Sequence, residues 1–319
     1  MFKYISGRLV QTSIVLAALS FFCYVLLTLM PGDPVELMIQ SNPKITQEDI
    51  ERLRNLYGLD QPVYLRYGNW MKDILSGDLG FSRTYRIPVG ELLIPRLKNT
   101  FILSFFSLLL SLSIAIPLGI LAALNANKRI DYIIGFFSFG GISTPSFWLG
   151  LMLIIAFAVK LQWLPASGTE PIGLKNGGFL DRIPYLISPA LTLSYISIGR
   201  FIRFTRSAML ESLKNDYIRT AIAKGLPRRK VIWKHAFRNA LLSLITMVTL
   251  SFSGVFSGAT ITETVFAYQG VGKLVYDSIL ANDFNVAMIS FMISVSMVLI
   301  FSLIADLLYS WADPRIQLK

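Results

Sequence analysis

Six long apolar runs, at 9–30, 99–124, 132–159, 183–206, 239–262 and 284–308, constrain this chain more than any other feature of it. About twenty apolar residues in a helix cross the hydrocarbon of a bilayer. Backbone groups in hydrocarbon must be satisfied internally, which leaves helices and closed barrels as the only spanning forms. None of the six runs shows the ten-residue alternation of a barrel strand. The expected fold class is therefore an all-α polytopic membrane protein with six transmembrane helices. Composition agrees: charged residues make up 15% of the chain, against about a quarter in soluble domains, and mean hydropathy is +0.57. The first run follows Lys3 and Arg8 as a signal peptide would, but it is 22 residues long. That exceeds the roughly 7–15 of a signal core, and TLM-PG is a poor cleavage site, so it reads as an uncleaved span.

Lys and Arg in the connections give an orientation. With the N-terminus inside, an even number of spans puts both termini in the cytoplasm. The inner segments then carry sixteen basic and five acidic groups, while the outer segments hold thirteen basic and fourteen acidic ones. Nearly all of the net charge of +11 is thus cytoplasmic, and nucleic acid is not needed to explain it. The largest outer segment, 31–98, is polar and turn-rich (PGDP, SNP, YGLDQP, LSGDLG), with one helix-like piece whose N-cap is expected at Thr46. It reads as an extracytoplasmic insertion capping the outer mouth.

Enzyme chemistry has little to stand on. The nearest approach to a phosphate-binding loop, AYQGVGKL, has Ala267 and Leu274 where that motif needs Gly and Ser or Thr. A single histidine, His235, cannot build a His-based metal centre. The lone Cys23 lies in an apolar run and excludes an internal disulfide. Arg200, Arg203 and Arg206 recur every third residue, as in a voltage sensor, but the expected reading is snorkelling to the cytoplasmic surface. Pro117, Pro145, Pro184 and Pro189 interrupt spans, and Gly254 and Gly258 form a GxxxG in the fifth. Pro145, Gly254 and Gly258 are candidates for bundle packing or for joints and walls of a translocation path.

One inner segment departs from this pattern. DYIRTAIAKGLPRRKVIWKHAFRN, Asp216 to Asn239, holds seven Lys or Arg and the only histidine between two apolar runs. Ala221, Ala223 and their neighbours favour helix, Gly225-Leu226-Pro227 should end it, and a second amphipathic piece, 230–238, leads into the fifth span. A basic loop obeying the positive-inside rule is one reading. A surface that docks another protein is the other, with small residues for close approach and cations for polar contacts.

RTAIAKG (219–225), nine further residues and HAFRN resemble the EAA loop of ABC importer permeases, in the form used by B-type subunits of the dipeptide/oligopeptide/nickel family. Arg219-Thr220-Ala221 stands where that loop has EAA, Gly225 is kept, and His235-Ala236-Phe237-Arg238 replaces IxLP. PGDP (31–34), YGLDQP (57–62), SGDLGFS (76–82), TPSFWLGLMLIIAFAVKLQWLPASG (144–168), ETVFAYQGVGKL (263–274) and ADPR (312–315) resemble family segments in family order. Gln269 departs from the proline usual before that glycine. The resemblance implies one type I importer-like permease domain over 1–319, with a cytoplasmic coupling loop at 207–238. It also implies that Asp216, Tyr217, Arg219, Thr220, Ala221, Ala223, Lys224, Gly225 and Leu226 form a coupling helix docked in a cytoplasmic ATPase. Ala221 and Gly225 would allow close approach, and Arg219 and Lys224 would make polar contacts. The implied partners are a second homologous permease, two ATP-binding subunits that carry the ATP and Mg, and an extracytoplasmic substrate-binding protein. The implied place is the bacterial cytoplasmic (inner) membrane, and the cargo is a di- or oligopeptide. Nickel or a metal chelate is the alternative cargo. A self-contained secondary transporter or channel is the alternative class, and it would need ionisable groups at mid-membrane and inverted repeats.

Overall fold

The computed structural model describes residues 2–29, 46–56, 58–171, 173 and 178–312. Within it, helices follow one another in the order α1 (Phe2–Thr28), α2 (Gln47–Leu56), α3 (Val63–Leu75), α4 (Val89–Leu124), α5 (Arg129–Ser143) and α6 (Ser146–Leu153). Next come α7 (Phe179–Leu213), α8 (Asp216–Ala223), α9 (Arg238–Val265), α10 (Val271–Leu280) and α11 (Phe284–Ala312). Among the described residues no strand forms, only an isolated bridge between Phe81 and Pro88. Among the described residues, four helices are long and apolar enough to cross a membrane, Ser6–Thr28, Val89–Leu124, Leu180–Leu213 and Phe284–Ile304, and the bent pair Arg129–Ser143 with Ser146–Lys160 makes a fifth if it is one span. Along α1, Val10, Ile14 and Phe22 are all more than half exposed, a surface that suits lipid and not water.

The third expected span is not one rod. α5 and α6 meet at 100°, with Pro145 extended at the elbow (φ −63°, ψ 132°); α6 then continues as a π-helix over Ile154–Lys160. Pro117, Pro184 and Pro189, by contrast, lie inside helices that continue past them, so each removes a ladder hydrogen bond without ending its helix. The fifth expected span falls in α9, whose 28 residues reach about 42 Å. Gly254 and Gly258 belong to α9, but their surroundings lie outside the described residues.

The described chain divides into two compact units, Met1–Pro95 with Leu274–Ser296, and Arg96–Lys273 with Met297–Lys319. In the first, α3 packs on α1 through rings: Tyr24 lies edge-on to Tyr67 at 5.6 Å and against Trp70 at 5.6 Å, and Ser20 bonds the Tyr67 hydroxyl at 2.6 Å. The described part of the 31–98 segment carries α2, α3 and the start of α4, where one helix-like piece was expected. Thr46 caps α2: Asp49 N donates to Thr46 Oγ1 at 3.3 Å and Thr46 N donates to Asp49 Oδ2 at 3.1 Å. The Thr46 hydroxyl, donating to Asp49 Oδ2 at 2.6 Å, and the Thr46 N–H hold the Asp49 carboxyl below the usual range. Asp283 anchors the hairpin-like turn after α3, accepting from Ser82 Oγ at 2.6 Å and Thr84 N at 3.0 Å.

In the second unit α7 is the hub, packed along α5, α6 and α9. Small residues let the backbones approach. A Cβ at Gly199 would collide with the Ser138 carbonyl, and one at Gly119 would stand 2.9 Å from the Ile202 carbonyl. Phe201 and Ile202 of α7 and Ala115 and Ala122 of α4 are buried together there with Ile134 of α5. α4 and α7 have 36 and 35 residues, about 54 and 52 Å at the α-helical rise. Both outrun a hydrocarbon core of about 30 Å, and α7 continues past its apolar run to carry the basic loop.

Candidate functional site

The loop after α7 is a short helix fastened on one face and bare on the other. α7 ends at Leu213, and Asn215 Nδ2 donates back to the Glu211 carbonyl at 3.1 Å. α8 begins at Asp216, an acid in the first turn where the helix dipole favours it. Ile218 and Ala221, three residues apart and so on one face, are each 4% exposed. They pack against Ile120 and Ala123 of α4, Ala208 and Met209 of α7, and Val231, Ala236 and Ala240 beyond the loop. Ala221 thus faces the chain's own core, contrary to the outward role expected of it, because the 3.6-residue period puts it with Ile218 and not with Arg219.

The opposite face is exposed along Asp216, Arg219, Thr220 and Ala223, with Lys224 following. Arg219 pairs with Asp216 at 3.3 Å, but both side chains are at least 80% exposed, so the pair adds little stability. Ile222 stands 61% exposed at the edge of this face. The Tyr217 hydroxyl meets Ser212 Oγ at 2.7 Å, and Ser212 Oγ donates to the Ala236 carbonyl at 2.8 Å. The end of α7, the start of α8 and the lead-in to α9 are therefore joined at one buried hydroxyl. Sequence reading missed Ser212, since its partner is 24 residues away and no local pattern marks it.

Gly225 ends α8 in a Schellman turn. Gly225 N donates to the Ile222 carbonyl at 2.9 Å, and Leu226 N to the Ala221 carbonyl at 3.3 Å. Its φ of +74° is the left-handed region, and a Cβ there would meet nothing within 4 Å. The glycine is required by backbone conformation, then, and not by close approach within this chain. Leu226 turns back onto the same apolar cluster as Ala221. Beyond Pro227, Arg228–Lys230 and a π-helical stretch, Val231–Phe237, lead into α9. Trp233, half exposed, sets its ring edge-on to Phe237 at 5.3 Å. With Pro227, Arg229, Lys230 and Lys234 it lines a groove of about 460 Å³. The loop therefore offers a polar helix face beside an aromatic, cationic groove.

At the other end of α9 the polar groups turn inward. Glu263 is fully buried; it accepts from Thr100 Oγ1 at 2.6 Å and from Lys273 N at 2.9 Å. Thr100 Oγ1 in turn accepts from Val271 N at 2.8 Å, and Asn99 Nδ2 donates to the Gln269 carbonyl at 2.8 Å. Gly270 packs flush on the Glu263 carboxylate, where any side chain would overlap it. Burial and the neighbouring Glu263 push the Tyr268 hydroxyl above its ordinary range. In ETVFAYQGVGKL the turn is thus built around its first residue.

Two family models match the chain. The binding-protein-dependent transport system inner membrane component matches residues 115–318, and the N-terminal model of such membrane components matches 1–95. The oligopeptide transport system permease protein AppB of Bacillus subtilis is 41% identical over 99% of this chain and its own full length. The probable D,D-dipeptide transport system permease protein DdpB of Escherichia coli K12 is 40% identical, over 95% of this chain and 94% of its own. The dipeptide transport system permease protein DppB of Escherichia coli K12 is 34% identical, over 98% and 97%. Among solved structures, the inward-facing MetNI methionine ABC transporter matches 70% of this chain and 96% of its own with a TM-score of 0.56 at 16% identity. That likeness shows the fold, and the apolar helices make the chain a multi-pass inner-membrane protein. The chain belongs to the family of binding-protein-dependent transport system inner membrane components.

Proposed function

We propose that the chain is a permease subunit of an ATP-driven ABC importer for di- or oligopeptides, and that Asp216–Leu226 is the element through which cytoplasmic ATPase subunits act on it. The observation that carries this reading is the two-faced α8, fastened to α4, α7 and the lead-in to α9 by Ile218 and Ala221 while Asp216, Arg219, Thr220 and Ala223 stay exposed. A docking helix needs both properties. The peptide cargo is supported by the names of the relatives, which are permeases of oligopeptide, D,D-dipeptide and dipeptide systems.

In this reading the chain spans the membrane six times, with both termini and the basic loop in the cytoplasm. A second homologous permease completes the path, two ATP-binding subunits hold ATP and Mg, and an extracytoplasmic binding protein delivers cargo. ATP closure of the paired ATPases shifts α8, and the helices fastened to it follow. The shift is possible only because ATP binds one of two arrangements better than the other.

The test compares wild type with Gly225→Arg in pull-downs from detergent-solubilised native membranes, followed by uptake of a tripeptide and of nickel. Wild type should bring down nucleotide-binding subunits and support tripeptide uptake. The variant should lose the association or leave ATPase activity uncoupled. Transport by the chain alone in liposomes, driven by an ion gradient, would refute the proposal, and uptake of nickel but not peptide would refute its cargo.

A further inference from the structure

Near the basic-loop end of α7, three arginines lie on one strip, Arg200, Arg203 and Arg206, and they are not equivalent. Arg206 is held by Asp131 of α5 through two bonds, Nε to Oδ1 at 2.6 Å and a terminal nitrogen to Oδ2 at 2.7 Å. Asn127 N also donates to Asp131 Oδ2, at 2.9 Å. Arg206 is therefore a paired group and not a snorkelling one, as the sequence alone had implied. Arg203 rests 4.6 Å from the centre of the Phe139 ring. Among the described residues neither Arg200 nor Arg203 is in an ion pair. Both are exposed, and both open on a cavity of about 790 Å³ between α5 and α7. Its α5 wall is aromatic: Tyr132, Phe136 and Phe139 are 68%, 75% and 57% exposed.

We propose that this cavity binds the phosphate of an anionic phospholipid, with the acyl chains along the aromatic wall. With Arg206 and Asp131 cancelling, the cavity carries two uncompensated guanidinium groups. Residues three apart on a helix set their Cβ atoms about 5–6 Å apart, so one phosphate can accept from both in charge-assisted bonds. Unpaired cations at the edge of hydrocarbon are costly, and a lipid phosphate removes that cost where it arises. A soluble anion would satisfy the arginines but would not cover the three exposed rings beside them. A lipid satisfies both, and Tyr132 is of the type enriched at membrane interfaces. The choice of the inner leaflet rests on the topology proposed above; the site itself does not.

The test uses the complex in nanodiscs of phosphatidylcholine with one-fifth phosphatidylglycerol, reading retained lipids by native mass spectrometry after mild extraction. Basic residues near a membrane surface each give about a fivefold preference for anionic lipid. The double variant Arg200→Gln/Arg203→Gln should thus lose about thirtyfold of the phosphatidylglycerol preference. Arg52→Gln/Arg54→Gln, which removes the same charge from α2, should lose none. An undiminished preference in the first variant, or no preference in wild type, overturns the proposal. In wild type, a photoreactive benzoyl-phenylalanine at Phe136 should form lipid adducts, which needs no folded arginine variant; adducts with a second protein chain overturn the proposal. Labelling of Lys128→Cys from the outer side would refute the topology and move the site to the other leaflet, while leaving the lipid preference to decide the site.

Discussion

The two turns at the ends of α9 solve opposite problems. Before it, α8 buries alanine and isoleucine and leaves its polar side chains outside. After it, the 263–273 turn buries a carboxylate and satisfies it with a hydroxyl and backbone N–H groups. Apolar contacts are non-directional and tolerate sliding, whereas hydrogen bonds to a buried carboxylate fix angle as well as distance. The first turn suits a surface that must be met and shifted by a partner. The second suits a fastener.

Substitutions at the two ends should separate these roles. Glu263→Ala removes the acceptor from Thr100 and Lys273 and strands buried donors, at roughly 1–3 kcal/mol each. It should give the largest loss, read as a fall in the unfolding temperature of the detergent-solubilised complex, with little folded protein left to transport. Ile218→Ala, which empties part of the α8 anchor, should cost about 2–5 kcal/mol in a well-packed site and less where the helix can settle. If it matched or exceeded Glu263→Ala, the contrast drawn above would fail. Gly225→Ala places a side chain at φ +74°, a strain of about 1–2 kcal/mol; it should lower coupled ATPase activity more than stability. Arg219→Ala breaks only an exposed pair and should leave stability within about 0.5 kcal/mol, yet weaken co-purification of the ATPase subunits. Unchanged co-purification together with unchanged stability would remove the polar face of α8 from the interface.

Much of this was legible in the residues, and the exceptions have physical causes. Apolar windows located α1, α4, α7 and α11, because hydropathy reports on lipid contact. They did not report where a helix stops, since α4 and α7 run on as packed helices beyond the apolar stretch. Gly225 and Thr46 were readable because caps are local. The 100° elbow at Pro145 was not, because proline marks a break while packing on α7 decides the angle. Glu263 counted as one outer acid among fourteen; its partner Thr100 is 163 positions away. Asp131 and Arg206 are 75 positions apart, and nothing local couples them. The inward turn of Ala221 was within reach, since Ile218 three residues earlier shares its face.

The Ser212 hydroxyl has a mechanical corollary. α8, with eight residues, is about 12 Å long, a stub too short to bend. One end is tied through Ser212 and Tyr217 to α7 and to the lead-in of α9, and the other is folded back by the Leu226 clasp. A sideways push on such a stub is divided between α7 and the root of α9. It acts as a torque on the pair, so a small displacement at the loop is carried along two rods at once.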